Sequence, residues 1–512
     1  MIQRLLHEGL EKSVKTNPEK IAVIAEGVSH TYQDFFDSVT RLANALIDNG
    51  LRRGDRCVVY MDNTFPCLVS IYAILLAGGA FVVVNPQTKK EKLKFILNDC
   101  SARILISDSH LYGNFSGIDG EVQSLVCVIS SGNIQSIDDS AVIPFDKIMD
   151  GSKDSKPSIN TIANDLAALI YTSGSTGNPK GVMQTHLSMG FALNSLIEYL
   201  RLSSDDRILL VLPLAFDYGL YQLLMSVQLG ATLVLERSFT YPAQVFSRIE
   251  QTSVTVFPAV PTIFALLLSM HNRKPIIFPT VTRITNTAAS LPPEYVKALK
   301  EIFPNALIYK MYGLTECKRV CYLEPEKIDT KPSSVGQAIP GTEVFILDDN
   351  GERVKAGEIG ILHVRGPHIM LGYWNQLELS NEVLKDAPLP REKILCTNDW
   401  FKMDDDGDLY FIGRSDDIIK TRGEKVSPIE VENVIHGING VLEVAVIGEP
   451  DEILGEAVKC FIVLEEGSSL SIRDIKKICI ERLENFMVPK YIEMVSNLPK
   501  THTGKISKKG LR

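Results

Sequence analysis

Three observations predict an α/β fold with a large N-terminal body and a small C-terminal one. Short β-branched runs alternate with helix-period segments over most of the chain, turn-punctuated strands replace them between about Val335 and Tyr373, and a separate alternation follows the polar stretch Arg414 to Lys425. Alternating strands and helices imply parallel pairing, since each crossover helix covers the face of the sheet it leaves. Strands joined by Asp-Asp-Asn-Gly fold back as hairpins instead.

Taken in order, Arg56 to Met61, Phe81 to Val84, Arg103 to Ile106, Ser124 to Ile129, Ile208 to Leu212, Thr232 to Leu235 and Ser253 to Phe257 are the expected strands of parallel sheets flanked by helices. Cys67 to Val84 carries no charge and reaches the lower limit for a membrane span. Gly78-Gly79 divides it into a helical half and a β-branched half ahead of Asn85-Pro86, so a buried helix, turn and strand are expected, with no membrane partner. Glu343 to Leu347 and Ile359 to Arg365 flank the Asp348 to Gly351 turn and predict a small antiparallel or barrel-like β piece. Leu409 to Gly413 closes the large body. Strands at Val441 to Gly448 and Ala457 to Leu464, with a helix at Ile472 to Asn485, predict a small α+β domain. The expected division is residues 1–413 as core, 414–417 as the boundary and 418–512 as C-terminal domain.

The 512 residues are 45% hydrophobic, enough to bury a large core, and 53 basic against 62 acidic side chains leave a net charge of −9. That balance excludes a broad basic face of the kind that binds nucleic acid. The nine cysteines show no CxxC pair and no zinc spacing, which points to free buried thiols in a reducing compartment. The mixed-charge N-terminus lacks the basic and apolar regions of a signal peptide, so the expected location is cytoplasmic.

Chemistry concentrates in YTSGSTGNPKGVMQTH, Tyr171 to His186, directly after the apolar run Leu166 to Ile170. Glycines 174 and 177 let the backbone turn its N–H groups inward, the hydroxyls of Thr172, Ser173, Ser175 and Thr176 add short donors, and Lys180 adds a charge. Together they suit phosphate oxygens. The stretch is not a Walker A loop, because GxxxxGK[ST] cannot be read through it.

YTSGSTGNPKG closely resembles the signature of the adenylate-forming superfamily, which includes acyl-CoA synthetases, nonribosomal adenylation domains and luciferases. Tyr312-Gly313-Leu314-Thr315-Glu316 resembles the family's YGxTE motif, Thr397-Asn398-Asp399 its TGD, and Gly413-Arg414-Ser415-Asp416 its GRxD. Pro499-Lys500-Thr501 to Gly504-Lys505-Ile506 is similar to its PKTxxGK. The resemblance implies that a carboxylate attacks the α-phosphorus of ATP and a thiol then takes the acyl group. It assigns Thr172, Ser173, Gly174, Ser175, Thr176, Gly177 and Lys180 to the phosphates, and Glu316 with Thr176 to Mg2+. Ala288, Tyr312, Gly313, Thr315, Asp399 and Arg414 fall to the nucleotide, and Lys505 to both the substrate carboxylate and the α-phosphate. Asp416 matches the hinge about which the C-terminal domain swings; Gly423 and Lys425 match a tunnel for the thiol. His186 reads as structural. Asn398 stands where the family has glycine.

Leu212 to Tyr221 lies where amino-acid adenylation domains carry an aspartate for the substrate ammonium, and Asp217 matches it; the competing reading is that Asp217 caps the helix Tyr218 to Val227. Tyr218, Tyr221, Asn286, Thr287, Met311, Arg319 and Val320 align with the rest of the pocket. FDYGLYQ and YGLTECKRV resemble stand-alone proline-activating ligases. The expected substrate is therefore an amino acid such as proline, passed to the phosphopantetheine of a separate carrier protein, with an acyl-CoA ligase as the alternative.

Overall fold

The computed structural model describes residues 4–133, 142–151, 155–173, 179–287, 291–414, 417, 419–421, 424–451, 454–483, 485–500 and 506–511. Two large sheets form the N-terminal body. One has the order Gln337–Ala338, Cys321–Tyr322, Leu307–Tyr312, Arg283–Asn286, Val256–Ala259, Arg207–Leu210, Thr232–Leu235, Ile21–Ala25, Val28–Thr31. Its strands from Leu307–Tyr312 through Ile21–Ala25 are parallel, with antiparallel pairs at both edges. The other runs Val142–Pro144, Cys127–Ser131, Ile104–Asp108, Arg56–Tyr60, Ala80–Val84, Leu166–Ser173, Pro179–Thr185, and only its last pair is antiparallel. Helices cover both, as β-branched strands linked by crossover helices require.

Cys67 to Val84 folds as read: a helix Phe65–Leu76, a turn with Gly78 at φ 77°, and the fully buried strand Ala80–Val84. Among the described residues no helix is long and apolar enough to cross a membrane. A single apolar cluster joins the facing sides of the two large sheets, with Phe35, Tyr72, Leu193, Leu224 and Phe257 in it. A second fills the far face of the smaller of the two, around Val58, Leu97 and Leu105.

The turn-punctuated segment is an antiparallel sheet of Glu343–Leu347, Ile359–Arg365, Lys393–Met403 and Leu384–Asp386, with Leu409–Arg414 also on Lys393–Met403. The C-terminal residues form a further sheet of Glu424–Val426, Ile419–Thr421, Gly455–Leu464, Val441–Asp451 and Tyr491–Met494, backed by helices Pro428–His436 and Ile472–Arg482. Its core, which includes Val431, Val446, Ile462 and Ile475, is separate from those of the large body. All nine cysteines are free thiols, and eight are buried. His186 is structural as read: it is buried, and its Nδ1 accepts from Leu6 N–H at 3.2 Å.

Candidate active site

The strand Leu166–Ser173 delivers its C-terminal end to the glycine-rich loop, and Pro179–Thr185 returns from it. Lys180 on the return strand donates from Nζ to Tyr373 Oη at 2.7 Å, and Tyr373 Oη donates to Glu316 Oε1 at 2.6 Å. Lys180 Nζ lies 3.4 Å from the same carboxylate oxygen and 4.0 Å from the centroid of the Tyr373 ring. Burial and the adjacent Glu316 carboxylate push the Tyr373 hydroxyl well above the usual tyrosine range, so it stays a donor. Gln184 Nε2 ties the same strand to Thr315 O at 3.1 Å.

Glu316 sits in the turn after the strand Leu307–Tyr312. That turn closes because Gly313 has no side chain: a Cβ there would lie 2.4 Å from Lys318 O. Val320 N–H then donates to Tyr312 O at 3.0 Å. Tyr312 packs its ring edge-on against Phe401 at 4.8 Å and donates its hydroxyl to Asp399 Oδ2. Asp399 pairs in register with Arg414, whose Nε lies 3.6 Å from Asp399 Oδ1. A buried carboxylate held this way on strand backbone can accept from vicinal hydroxyls while an exposed guanidinium balances its charge. Asn398 takes φ 56°, the left-handed region that glycine enters freely and asparagine tolerates, so the irregularity in the strand before Asp399 accommodates asparagine in place of glycine.

The third group corrects an expectation. Asp217 does not cap its helix: the helix Asp217–Leu229 starts with it, Phe216 holds the cap position, and no side chain caps it. Nor does Asp217 lack a cation within the protein. Its Oδ2 lies 3.2 Å from Lys318 Nζ, both residues are buried, and the ammonium also sits 4.4 Å from the Tyr221 ring centroid. Burial lowers the Lys318 amine to about 7, against the upward pull of Asp217. The neighbouring Arg319 is fully buried, donates from Nη1 to Thr287 Oγ1 at 2.6 Å and lies 5.6 Å from the Tyr218 ring centroid. Tyr218 Oη donates to Thr285 O at 2.7 Å, Met311 Sδ accepts from Tyr199 Oη at 3.0 Å, and Asn286 ends its strand buried.

Thr172, Lys180, Tyr312, Asp399 and Arg414 thus lie on strands and Gly313, Thr315 and Glu316 in the turn after Leu307–Tyr312, and Asp217, Tyr218, Tyr221 and Arg319 form one buried cluster. Gly174, Ser175, Thr176, Gly177, Ala288, Asp416, Gly423 and Lys505 lie outside the described residues, as do the side chains of Ser173 and Lys425. Sequence reasoning missed Tyr373 and Lys318 as partners. Lys318 stood in the quoted YGLTECKRV; Tyr373 reaches Lys180 only through a tertiary bridge between Val182 and Tyr373, which no local pattern announces. A cavity of about 840 Å³ opens elsewhere, beside Asn63, Glu236, Arg237, Tyr241 and Arg248, and contains none of the expected site residues.

Residues 10–374 match the AMP-binding enzyme family, and 430–505 match the AMP-binding enzyme C-terminal domain. The chain belongs to the AMP-binding enzyme family. The long-chain-fatty-acid–CoA ligase of Bacillus subtilis (strain 168) is 30% identical, over 99% of this chain and 94% of that protein. The oxalate–CoA ligase of Arabidopsis thaliana is 29% identical over 98% of this chain and 96% of its own. Among solved structures, the anthranilate CoA ligase AuaEII in complex with anthranoyl-AMP superposes with a TM-score of 0.92 at 28% identity, covering 100% of this chain and 97% of that one. This AMP-binding enzyme is accordingly an ATP-dependent, AMP-forming ligase that joins an acid to a thiol. The donor set agrees with that chemistry: Thr172 Oγ1 is buried without a partner at the mouth of the glycine-rich loop, where a phosphate oxygen would meet it.

Proposed function

We propose that the chain is an acyl-CoA ligase: it activates a carboxylic acid on ATP and passes the acyl group to CoA. The observation that carries this reading against the expected proline-loading one is the Asp217–Lys318 pair at 3.2 Å. The expectation gave Asp217 to a substrate ammonium, on the ground that a buried carboxylate needs a cation. The protein supplies that cation itself, so the argument for an amino acid falls away. The names of the relatives, CoA ligases of fatty, oxalic and anthranilic acids, support the same choice.

In the first step a carboxylate oxygen bonds to the α-phosphorus and the bond to pyrophosphate breaks. The two reactants are anions, so the barrier falls when fixed donors and cations face the transferring group. Thr172 and the loop residues through Gly177 take the phosphates in this reading, Lys180 supplies a cation, and Asp399 with Tyr312 and Arg414 fixes the ribose. Glu316 and Thr176 offer hard oxygens suited to Mg2+, which when bound would neutralise phosphate charge. Lys505 would bridge acid and α-phosphate. In the second step the thiol sulfur bonds to the acyl carbon, AMP leaves with the former carboxylate oxygen, and the thiol proton goes to solvent. Residues 418–512 would swing about Asp416 between the steps, bringing Gly423 and Lys425 to the thiol.

The test is product analysis with ATP, a panel of carboxylic and amino acids, and either CoA or a phosphopantetheinylated carrier protein. Acyl-CoA is the expected product. Thioester formed only on the carrier and only with an amino acid would overturn the reading.

A further inference from the structure

Arg319 is 2% exposed, yet among the described residues its guanidinium donates to a single neutral group, the Thr287 hydroxyl. Its Nε is buried with no hydrogen-bond partner, and among the described residues no carboxylate forms an ion pair with it. The acid of the same buried cluster, Asp217, is engaged by Lys318. The cluster therefore holds two basic side chains, Lys318 and Arg319, against one carboxylate. A guanidinium stays charged at any pH a protein survives, so it cannot escape burial by losing its proton as a lysine can. Buried charges are paired, and an unpaired one in an otherwise packed wall marks the place of an absent anion.

We infer that the acid this chain activates carries a second anionic group besides the reacting carboxylate, and that this group seats on Arg319. The inference rests on the acid-activating reading above and names its substrate class: dicarboxylic acids and carboxylates bearing another acidic group at short range. The reacting carboxylate must reach the glycine-rich loop and the Glu316 turn. Arg319 lies three residues past Glu316, on the approach to the strand Cys321–Tyr322, and is walled by Tyr218 and Thr287. It is thus placed for the far end of a short substrate, not for the end that is adenylated. Lys318 contributes to the same excess of positive charge, and its amine is lowered by burial and by Arg319 beside it.

The experiment compares matched pairs in ATP–pyrophosphate exchange: malonate, succinate and glutarate, each against its monomethyl ester and the monocarboxylic acid of equal length. A charge-assisted pair in a desolvated site discriminates strongly, so the wild type should prefer one of the diacids by about 100-fold in kcat/KM. Arg319→Met should lose that preference while its KM for Mg·ATP stays within about twofold. Because an unpaired buried cation is replaced by a side chain of similar volume, Arg319→Met should melt no lower than the wild type, and the preferred diacid should raise the melting temperature of the wild type alone. Arg319→Lys, which keeps the charge but not the fork, should retain part of the preference. Exchange confined to monocarboxylic or amino acids, or an undiminished diacid preference in Arg319→Met, would overturn the inference while leaving acid activation intact. Exchange with no acid of any kind, by a protein that binds Mg·ATP, would overturn the reading beneath it.

Discussion

Tyr373→Phe removes one oxygen and tests how the phosphate end of the site is held. In the structure that oxygen accepts from Lys180 at 2.7 Å and donates to Glu316 at 2.6 Å, while lysine and glutamate stand 3.4 Å apart. The tyrosine therefore bridges the two charges and keeps them from closing fully on each other. A hydrogen bond to a charged group contributes about 1.5–3 kcal/mol. Without the hydroxyl, Lys180 can swing fully onto Glu316, and ATP must then break that pair. The loss of one such bond corresponds to about a 10- to 100-fold fall in kcat/KM for Mg·ATP. KM for the acid should not move, because neither residue belongs to the Asp217–Arg319 cluster. Steady-state exchange kinetics with ATP and acid varied separately provide the readout. A variant within twofold of the wild type in its ATP dependence would refute the reasoning, as would one that loses acid affinity instead.

Asp399→Asn should lower kcat/KM for ATP by about 100-fold or more, since the carboxylate that accepts from Tyr312 and faces Arg414 becomes a neutral group, with acid KM unchanged; ATP kinetics check it. Lys318→Met should destabilise the protein by about 3–5 kcal/mol because the buried Asp217 loses its 3.2 Å ion-pair partner, and adding Asp217→Leu should restore most of that loss in denaturant titrations. A single variant as stable as the wild type would remove the ion pair from the account. Burial holds the His368 imidazole at about 4, against an ordinary 6.5. The unfolded chain then takes up a proton as pH falls through 6.5 while the folded one does not, so stability is whole above 6.5 and declines by about 3 kcal/mol toward pH 4. His368→Gln should flatten that part of the acid unfolding profile, and an unchanged slope would count against the buried neutral ring.

Ordered, continuous patterns carried most of what could be read from the chain. The Gly78-Gly79 break, the β-branched runs and the DNG turn reported on secondary structure because each acts through local backbone preference or burial periodicity. Motif residues such as Gly313 and Asp399 were legible through the family resemblance, and the structure gives each a local role: one closes a turn on its own chain, and the other sits in register with Arg414 on the next strand. What could not be read is pairing across the fold. Asp217 and Lys318 are about a hundred positions apart, and the sequence shows a carboxylate and an ammonium without showing that they neutralise each other. Their pairing reversed the inference about substrate, since the same aspartate implies a substrate cation when bare and none when paired. Tyr373 is the converse case, an unremarked aromatic that becomes part of the site only because Pro179–Thr185 and the segment beyond Gly372 meet.

The central claim is that the acid becomes an acyl-adenylate before it becomes a thioester, and the most direct measurement follows the carboxylate oxygen. The acid with the highest exchange rate, labelled with 18O in its reacting carboxylate, is turned over with ATP and CoA, and the nucleotide product is analysed by mass spectrometry. Attack on the α-phosphorus followed by thiol transfer leaves one labelled oxygen in AMP. Formation of ADP, or label recovered in pyrophosphate or phosphate with none in AMP, would contradict the account.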